Sequence, residues 1–292
     1  MTFNYKSIPV RKPRRKARGL SDTTLDEQET SECLDDIGFE VAKSTTKSSP
    51  KEKNMEQLMK IIDDKVSTLA TWNSCTDFSD RIKDKLAAPE SQNSIDIVCY
   101  GIGSIADSIL SQWQLALILV LSRRIKKMRD MFYYDPVLLS EVESNVLVSF
   151  GFKILDVNEE GRRKIDKPTL FYMPHCPLAL YDNVLNANWN GSSLRHLYIF
   201  GNLLTNYYEN MSDSKLAAKA PHVLEVSKVG VDALDFPTLE DCPRAFNDTS
   251  FQQVRRSEEL SGITISAGLR ADDTELIHVE NDATVDIKCK TL

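Results

Sequence analysis

The sequence predicts an α/β fold: a doubly wound, mostly parallel sheet, preceded by a helical extension and flanked by disordered tails. Three observations carry that expectation. Between residues 94 and 210, short apolar runs alternate with helix-period segments across short connections, the pattern of a parallel sheet covered by helices. The runs lack strict polar alternation, as strands buried on both faces do. A glycine turn, Gly101-Ile102-Gly103, joins the first run to a long apolar segment, which is the strand–turn–helix layout of a Rossmann-like fold.

The elements follow in chain order. Residues 1–20 hold seven basic and no acidic residues, and residues 21–40 hold eight acidic and no basic ones. Such blocks stay solvated, so 1–52 reads as a disordered charged tail. Within it, Lys12 to Arg18 (KPRRKAR) reads either as a solvated tail or as a nuclear address or tether. From Lys53, Met55, Leu58, Met59, Ile62, Val66 and Leu69 recur at spacings of three and four, which builds one apolar helix face. A second helix over Phe78–Leu86 precedes Pro89, and 53–89 together form an extension that packs on the core. The main domain, 90–252, starts with strand 95–100 (IDIVCY). A helix from Ser104 to about Lys127 follows, with Ile105, Ile109, Trp113, Leu117 and Val120 on its buried stripe. Strand 131–135 (MFYYD) leads into a helix from Pro136 to Phe150, with proline in the tolerated first turn. Strands 153–157 and 169–173, a helix from Leu178 to Trp189 and strand 194–200 complete the alternation. His222–Val229 fits helix and strand equally, and 253–292 reads as a polar tail.

Composition excludes several classes. A net charge of −7 argues against a nucleic-acid partner, which wants a basic face. The longest apolar run, Leu115–Leu121, is far short of the roughly 20 residues that span a bilayer, and no signal-peptide pattern opens the chain. Six scattered cysteines without a C-x-x-C pair read as reduced thiols in the cytoplasm or nucleus, with neither a disulfide framework nor a zinc site. No G-x-S-x-G, H-E-x-x-H or P-loop is present.

Gly101-x-Gly103-x-x-Ala106 matches the dinucleotide fingerprint with alanine in its permitted last place. The same spelling serves a structural corner, with Ser104 capping the helix and Asp107 completing a capping box. A helix end supplies only about 0.3–1 kcal/mol toward an anion, whereas millimolar affinity needs about 4 kcal/mol. Other loops must therefore contribute. A parallel sheet brings all strand carboxyl ends to one rim, where ligands bind. The unusual polar spellings fall there: Gly101 and Gly103, Asp135-Pro136, Glu160-Gly161, His175-Cys176 and Gly201-Asn202. A strand order 3-2-1-4-5 sets His175 and Cys176 beside the glycine turn. Each residue also has a plain structural role open to it. Asp135 can cap the helix at Pro136, His175 can be a bonded loop histidine, and Asn202 can tie a loop. Cys176 acts as a nucleophile only if a helix N-terminus depresses its pKa.

CYGIGS, YYDP, NEEGRR, FYMPHCPLALYDNVLNANW, IFGN and AFNDTSF occur in this order over residues 90–252. Together they resemble the sensitivity-to-red-light-reduced (SRR-like) domain family of eukaryotes. The resemblance adds Asn247, Asp248 and Thr249 to the motif positions. It departs at Leu203, where the family's spelling has serine. It implies a regulatory role in circadian clock input and in control of haem biosynthesis, and attaches no reaction and no defined cofactor. The first expectation is therefore a regulator that binds a protein partner, with a nucleotide-like small ligand or haem tuning it. The alternative is a nucleotide-cofactor enzyme, an NAD(P)-linked oxidoreductase or an S-adenosylmethionine methyltransferase. There Gly101, Gly103 and Ser104 would face the cofactor, Asp135 would hold a ribose and His175 would act as base. His175 and Cys176 as haem-iron ligands form a third.

Overall fold

Asn54 opens the first helix through a reciprocal cap: its side chain accepts from the Gln57 amide at 2.8 Å, and Gln57 accepts from the Asn54 amide at 3.3 Å. A computed structural model describes residues 54–86, 94–125, 128–136 and 139–255. The expectations for 1–52 and for the tail beyond 255 lie outside the described residues. Helix α1 (Met55–Thr71) buries Leu58, Ile62, Val66 and Leu69, and α2 (Asn73–Leu86) buries Cys75, Phe78, Ile82 and Leu86. Both share one hydrophobic cluster with the sheet, so the extension forms part of the core.

The chain then alternates as β1 (Ile95–Tyr100), α3 (Ile109–Arg124), β2 (Met128–Tyr134), α4 (Glu141–Ser149), β3 (Phe152–Ile154) and β4 (Thr169–Met173). It continues through α5 (Leu178–Ala187), α6 (Gly191–Leu194), β5 (Leu197–Asn202), α7 (Leu204–Asn210), α8 (Asp213–Lys219) and α9 (Pro221–Val229). Strand β6 (Val231–Asp235), a 3-10 turn (Pro243–Ala245) and β7 (Thr249–Val254) close it. The seven strands lie in the order β3-β2-β1-β4-β5-β7-β6. β1 to β5 are parallel, and β7 runs antiparallel to both β5 and β6. The fold is Rossmann-like.

Residues along β1 alternate between two cores: Ile95, Ile97 and Cys99 face the α1–α4 cluster, and Val98 and Tyr100 the one formed with α5 and α7–α9. Helix α3 lies between the sheet and α1 and is buried on every side from Ser111 to Leu121. No narrow stripe exists there, and Ile109, expected on one, is 56% exposed.

Three expectations are corrected at element ends. Ser104 does not open α3: its hydroxyl accepts from the Asp107 amide at 3.2 Å and closes one isolated turn, while Ser108 caps the helix through the Ser111 amide. Asp135 does not cap α4, which begins at Glu141 behind a Ser140/Glu143 capping box. β7 runs to Val254, two residues past the expected domain edge at 252, and it pairs with β6, a strand that the sequence reading did not identify.

Candidate functional site

The parallel register sets the rim. Tyr100 pairs with Tyr134, Cys99 with Tyr172 and Met173 with Gly201, so residues 101, 135 and 174 leave the sheet along one edge, where Asn202 ends β5. Gly101 and Gly103 hold φ of +65° and +85°, in the left-handed region that side chains resist. The Gly101 amide extends the ladder to the Tyr134 carbonyl at 3.1 Å. The Gly103 amide donates to Asp135 Oδ2 at 2.5 Å. Asp135 therefore holds the turn, and the amide that an incoming phosphate would use is already engaged.

Glu143 fastens the other side of the turn. Its Oε1 accepts from the Ser104 hydroxyl (2.7 Å) and the Ala106 amide (3.1 Å), and its Oε2 accepts from the Ser140 amide and hydroxyl (both 3.0 Å). Burial pushes this carboxyl up, but the four donors outweigh it and hold it below the usual range.

Cys176 lies beneath Gly101. Its thiol donates to the Tyr100 carbonyl at 3.3 Å, and a Cβ placed on Gly101 would come within 2.8 Å of the sulfur. Burial, with a smaller push from Asp135, takes the thiol up to about 12. A nucleophilic cysteine needs the opposite shift. His175 follows Pro174 with φ +58°. Its amide donates to Asn202 Oδ1 at 2.8 Å, and its Nε2 lies 3.2 Å from the Ala245 carbonyl. Asn202 Nδ2 donates to the Cys176 carbonyl (3.3 Å) and the Tyr207 hydroxyl (2.8 Å). Asn202 thus ties the loop. As a haem-ligand pair, His175 and Cys176 do not fit: the Cys176 sulfur is a buried, neutral thiol that donates to the Tyr100 carbonyl.

Glu160 is exposed, with φ +50° and an ion pair to Arg162 at 3.7 Å. The anchored acid is its neighbour Glu159, which accepts from the Tyr100 hydroxyl (2.5 Å) and from Arg163 (2.9 and 2.8 Å). Asn247 and Asp248 are exposed on a turn. Asp248, at φ +57°, accepts from the Leu203 amide at 3.0 Å, and Asn247 Nδ2 donates to its carboxylate at 3.1 Å. Leu203 occupies the N-cap of α7 without a side-chain bond. Gln252 Oε1 takes the Leu204 amide at 3.1 Å.

The predicted residues do not converge on one cavity. A cleft of about 460 Å³ opens on the α3 side of the glycine turn, and Gly101, His175 and Asn247 line it. Gly103, Ser104 and Asp135 are bonded toward α4 or within the turn, Cys176 is buried, and Glu160 and Asp248 sit on separate loops. The remaining polar lining comes from Ser108, Ser111, Gln114 and Arg244, which the sequence reading did not single out. Ser111 and Gln114 stand in an apolar helical run and carry no local signal. Arg244 lies beside the FNDTS motif, whose family spelling was the cue available.

With this geometry, the chain can be set beside known proteins. The SRR1 domain family model matches residues 55–253, from α1 to β7. The chain belongs to the SRR1 domain family. It is 36% identical over 163 residues to the Arabidopsis thaliana protein SENSITIVITY TO RED LIGHT REDUCED 1, covering 55% of this chain and 59% of that one. An SRR1-like protein of Mus musculus is 37% identical over 139 residues, covering 47% and 55%. One from Drosophila melanogaster is 27% identical over 191 residues, covering 62% and 64%. The chain thus matches less than two-thirds of the length of each of these SRR1 relatives. Among solved structures, MtNAS in complex with MTA and tNA overlaps 68% of this chain and 71% of its own at TM-score 0.34 and 14% identity. The plantazolicin methyltransferase BpumL with SAH overlaps 60% and 71% at TM-score 0.25 and 11% identity.

Proposed function

We propose that this SRR1-family chain is a non-catalytic regulatory protein acting in circadian clock input and in control of haem biosynthesis. Its strand-end rim is a recognition surface for a protein partner, tuned by a small ligand. One observation carries the reading: the rim groups that chemistry would require are engaged in structure. The Cys176 thiol is buried and pushed up to about 12, and Asp135 holds the Gly103 amide. A working acid, base or nucleophile has its pKa near the operating pH. The name of the Arabidopsis relative, which refers to red-light sensitivity, supports a place in light-dependent timing. Its setting is the cytoplasm, with the nucleus open to it: the six scattered cysteines have the spacing of reduced thiols, and Lys12–Arg18 has the composition of a nuclear address. The net charge of −7 speaks for a protein partner over nucleic acid.

The test is complementation of cells lacking the endogenous protein. Chains carrying Cys176→Ser or Cys176→Ala, checked for folding by thermal melting, should restore rhythm period and expression of haem-synthesis enzymes. Loss of both outputs in folded variants would contradict a non-catalytic role. The nucleotide-cofactor alternative keeps one observation, the two positive-φ glycines at the point where strand order reverses. Turnover of a substrate with NAD(P)H or S-adenosylmethionine by the purified chain would favour it.

A further inference from the structure

We propose that the cleft beside α3 binds a small molecule with an oxyanion head, a phosphate or a carboxylate, and a neighbouring hydrogen-bond donor. This deepens the regulatory reading by naming the ligand chemistry at the rim. The first observation is the lining itself. Ser111 is 3% exposed and Gln114 is 4% exposed, yet both line the cleft. The Ser111 amide is capped by Ser108 and Gln114 Nε2 donates to the Ala245 carbonyl at 3.0 Å. Among the described residues, the Ser111 hydroxyl and the Gln114 carboxamide oxygen have no hydrogen-bond partner. Polar atoms without a protein partner, on otherwise buried side chains that line a cleft, are satisfied there by water or a ligand.

The second observation is electrostatic. The 16-residue helix α3 starts at Ile109, so the amides of residues 109 and 110 have no carbonyl four residues back within the helix. They add to the partial positive charge at the helix start. Arg244, exposed and without an ion pair among the described residues, stands on the same lining, and no carboxylate does. Arg244 and the helix start favour an anion, while Gln114 Oε1 accepts from a donor beside it. The site is distinct from the ribose position at Asp135, whose carboxylate faces the Gly103 amide. The volume, about 460 Å³, falls in the range of small-ligand sites.

The experiment is isothermal titration calorimetry on the full chain with adenosine monophosphate and, separately, glutamate. One of them should bind saturably, with phosphate or carboxylate assigned by which does so more tightly. Arg244→Gln and Ser111→Val should each weaken binding about tenfold or more, as loss of a charged or buried partner does. Arg244 is exposed, so its variant keeps the wild-type melting temperature and reports binding alone. Absence of saturable heat with both probes at about 5 mM, above the weakest affinity of interest, would overturn the proposal. Unchanged affinity in Arg244→Gln would overturn it as well. Neither outcome bears on complementation by Cys176→Ser and Cys176→Ala, at a residue outside the cleft lining, so failure here leaves the regulatory reading separately testable.

Discussion

Gly101 answers to two constraints: a φ of +65° and a Cys176 sulfur 2.8 Å from where a Cβ would stand. Gly101→Ala should therefore cost about 2–3 kcal/mol, the sum of left-handed strain and a forced shift of the sulfur. Urea denaturation would measure it. Adding Cys176→Ala should recover only the steric part, because the strained backbone stays. A neutral Gly101→Ala would mean that the turn relaxes freely. The glycines were legible because a strand–turn–helix corner demands them. The roles of Asp135 and Cys176 were not, since each is decided by a partner 32 or 76 residues away in sequence, whereas tying a loop was one of the roles open to Asn202.

At the scale of elements, Glu143 joins α4 to the glycine turn with bonds from both sides. Glu143→Ala leaves those donors without their acceptor and should cost about 2–3 kcal/mol by the usual penalty for orphaned groups. The folded carboxyl is held below its ordinary value of 4.5. Its contribution is thus present above about pH 4.5 and is lost as pH falls through the folded value. An acid-denaturation midpoint that is the same in wild type and Glu143→Gln would contradict this. Ser108→Ala removes the α3 cap and should cost about 1 kcal/mol by chemical denaturation. Several element ends were readable from local chemistry. The Ser140-x-x-Glu143 box marks the true start of α4, although proline at 136 drew the expectation earlier. Pro221 at the first turn and Gly230 after the last settle α9 as a helix. β6 and β7 could not be read this way, because their antiparallel pairing is decided by each other and by β5.

Across the whole molecule, both faces of the sheet are closed, and α1 and α2 seal one of them. Phe78 of α2 meets Phe200 and Phe236 edge-on at 6.1 and 4.9 Å. This closed interior gives the chain an alkaline limit. Burial raises Cys75 to about 11 and Cys176 to about 12 from an ordinary value of 9.0, and Tyr208 to about 12 from 10.0. Folding favours the protonated forms. That stability is complete below the unfolded values and is lost as pH rises through the folded ones. Melting temperature should fall steadily from about pH 9 upward as unfolded thiols ionise. A flat profile would contradict the burial of these groups. The parallel direction of the strands around the glycine turn was legible in the alternation of strands and helices. A single shared pocket was not formed, because side chains on one rim still turn to opposite sides of it.

The central claim is that the conspicuous rim cysteine is a structural part beneath a glycine turn and not a reacting group. Iodoacetamide labelling of the folded chain between about pH 7 and 10, spanning the ordinary thiol range, tests it most directly, with Cys176 followed by peptide mass spectrometry. The account predicts that Cys176 labels no faster than the chain unfolds across that interval. Rapid labelling at neutral pH, with a midpoint below the usual value of about 8.5 for a free thiol, would contradict it.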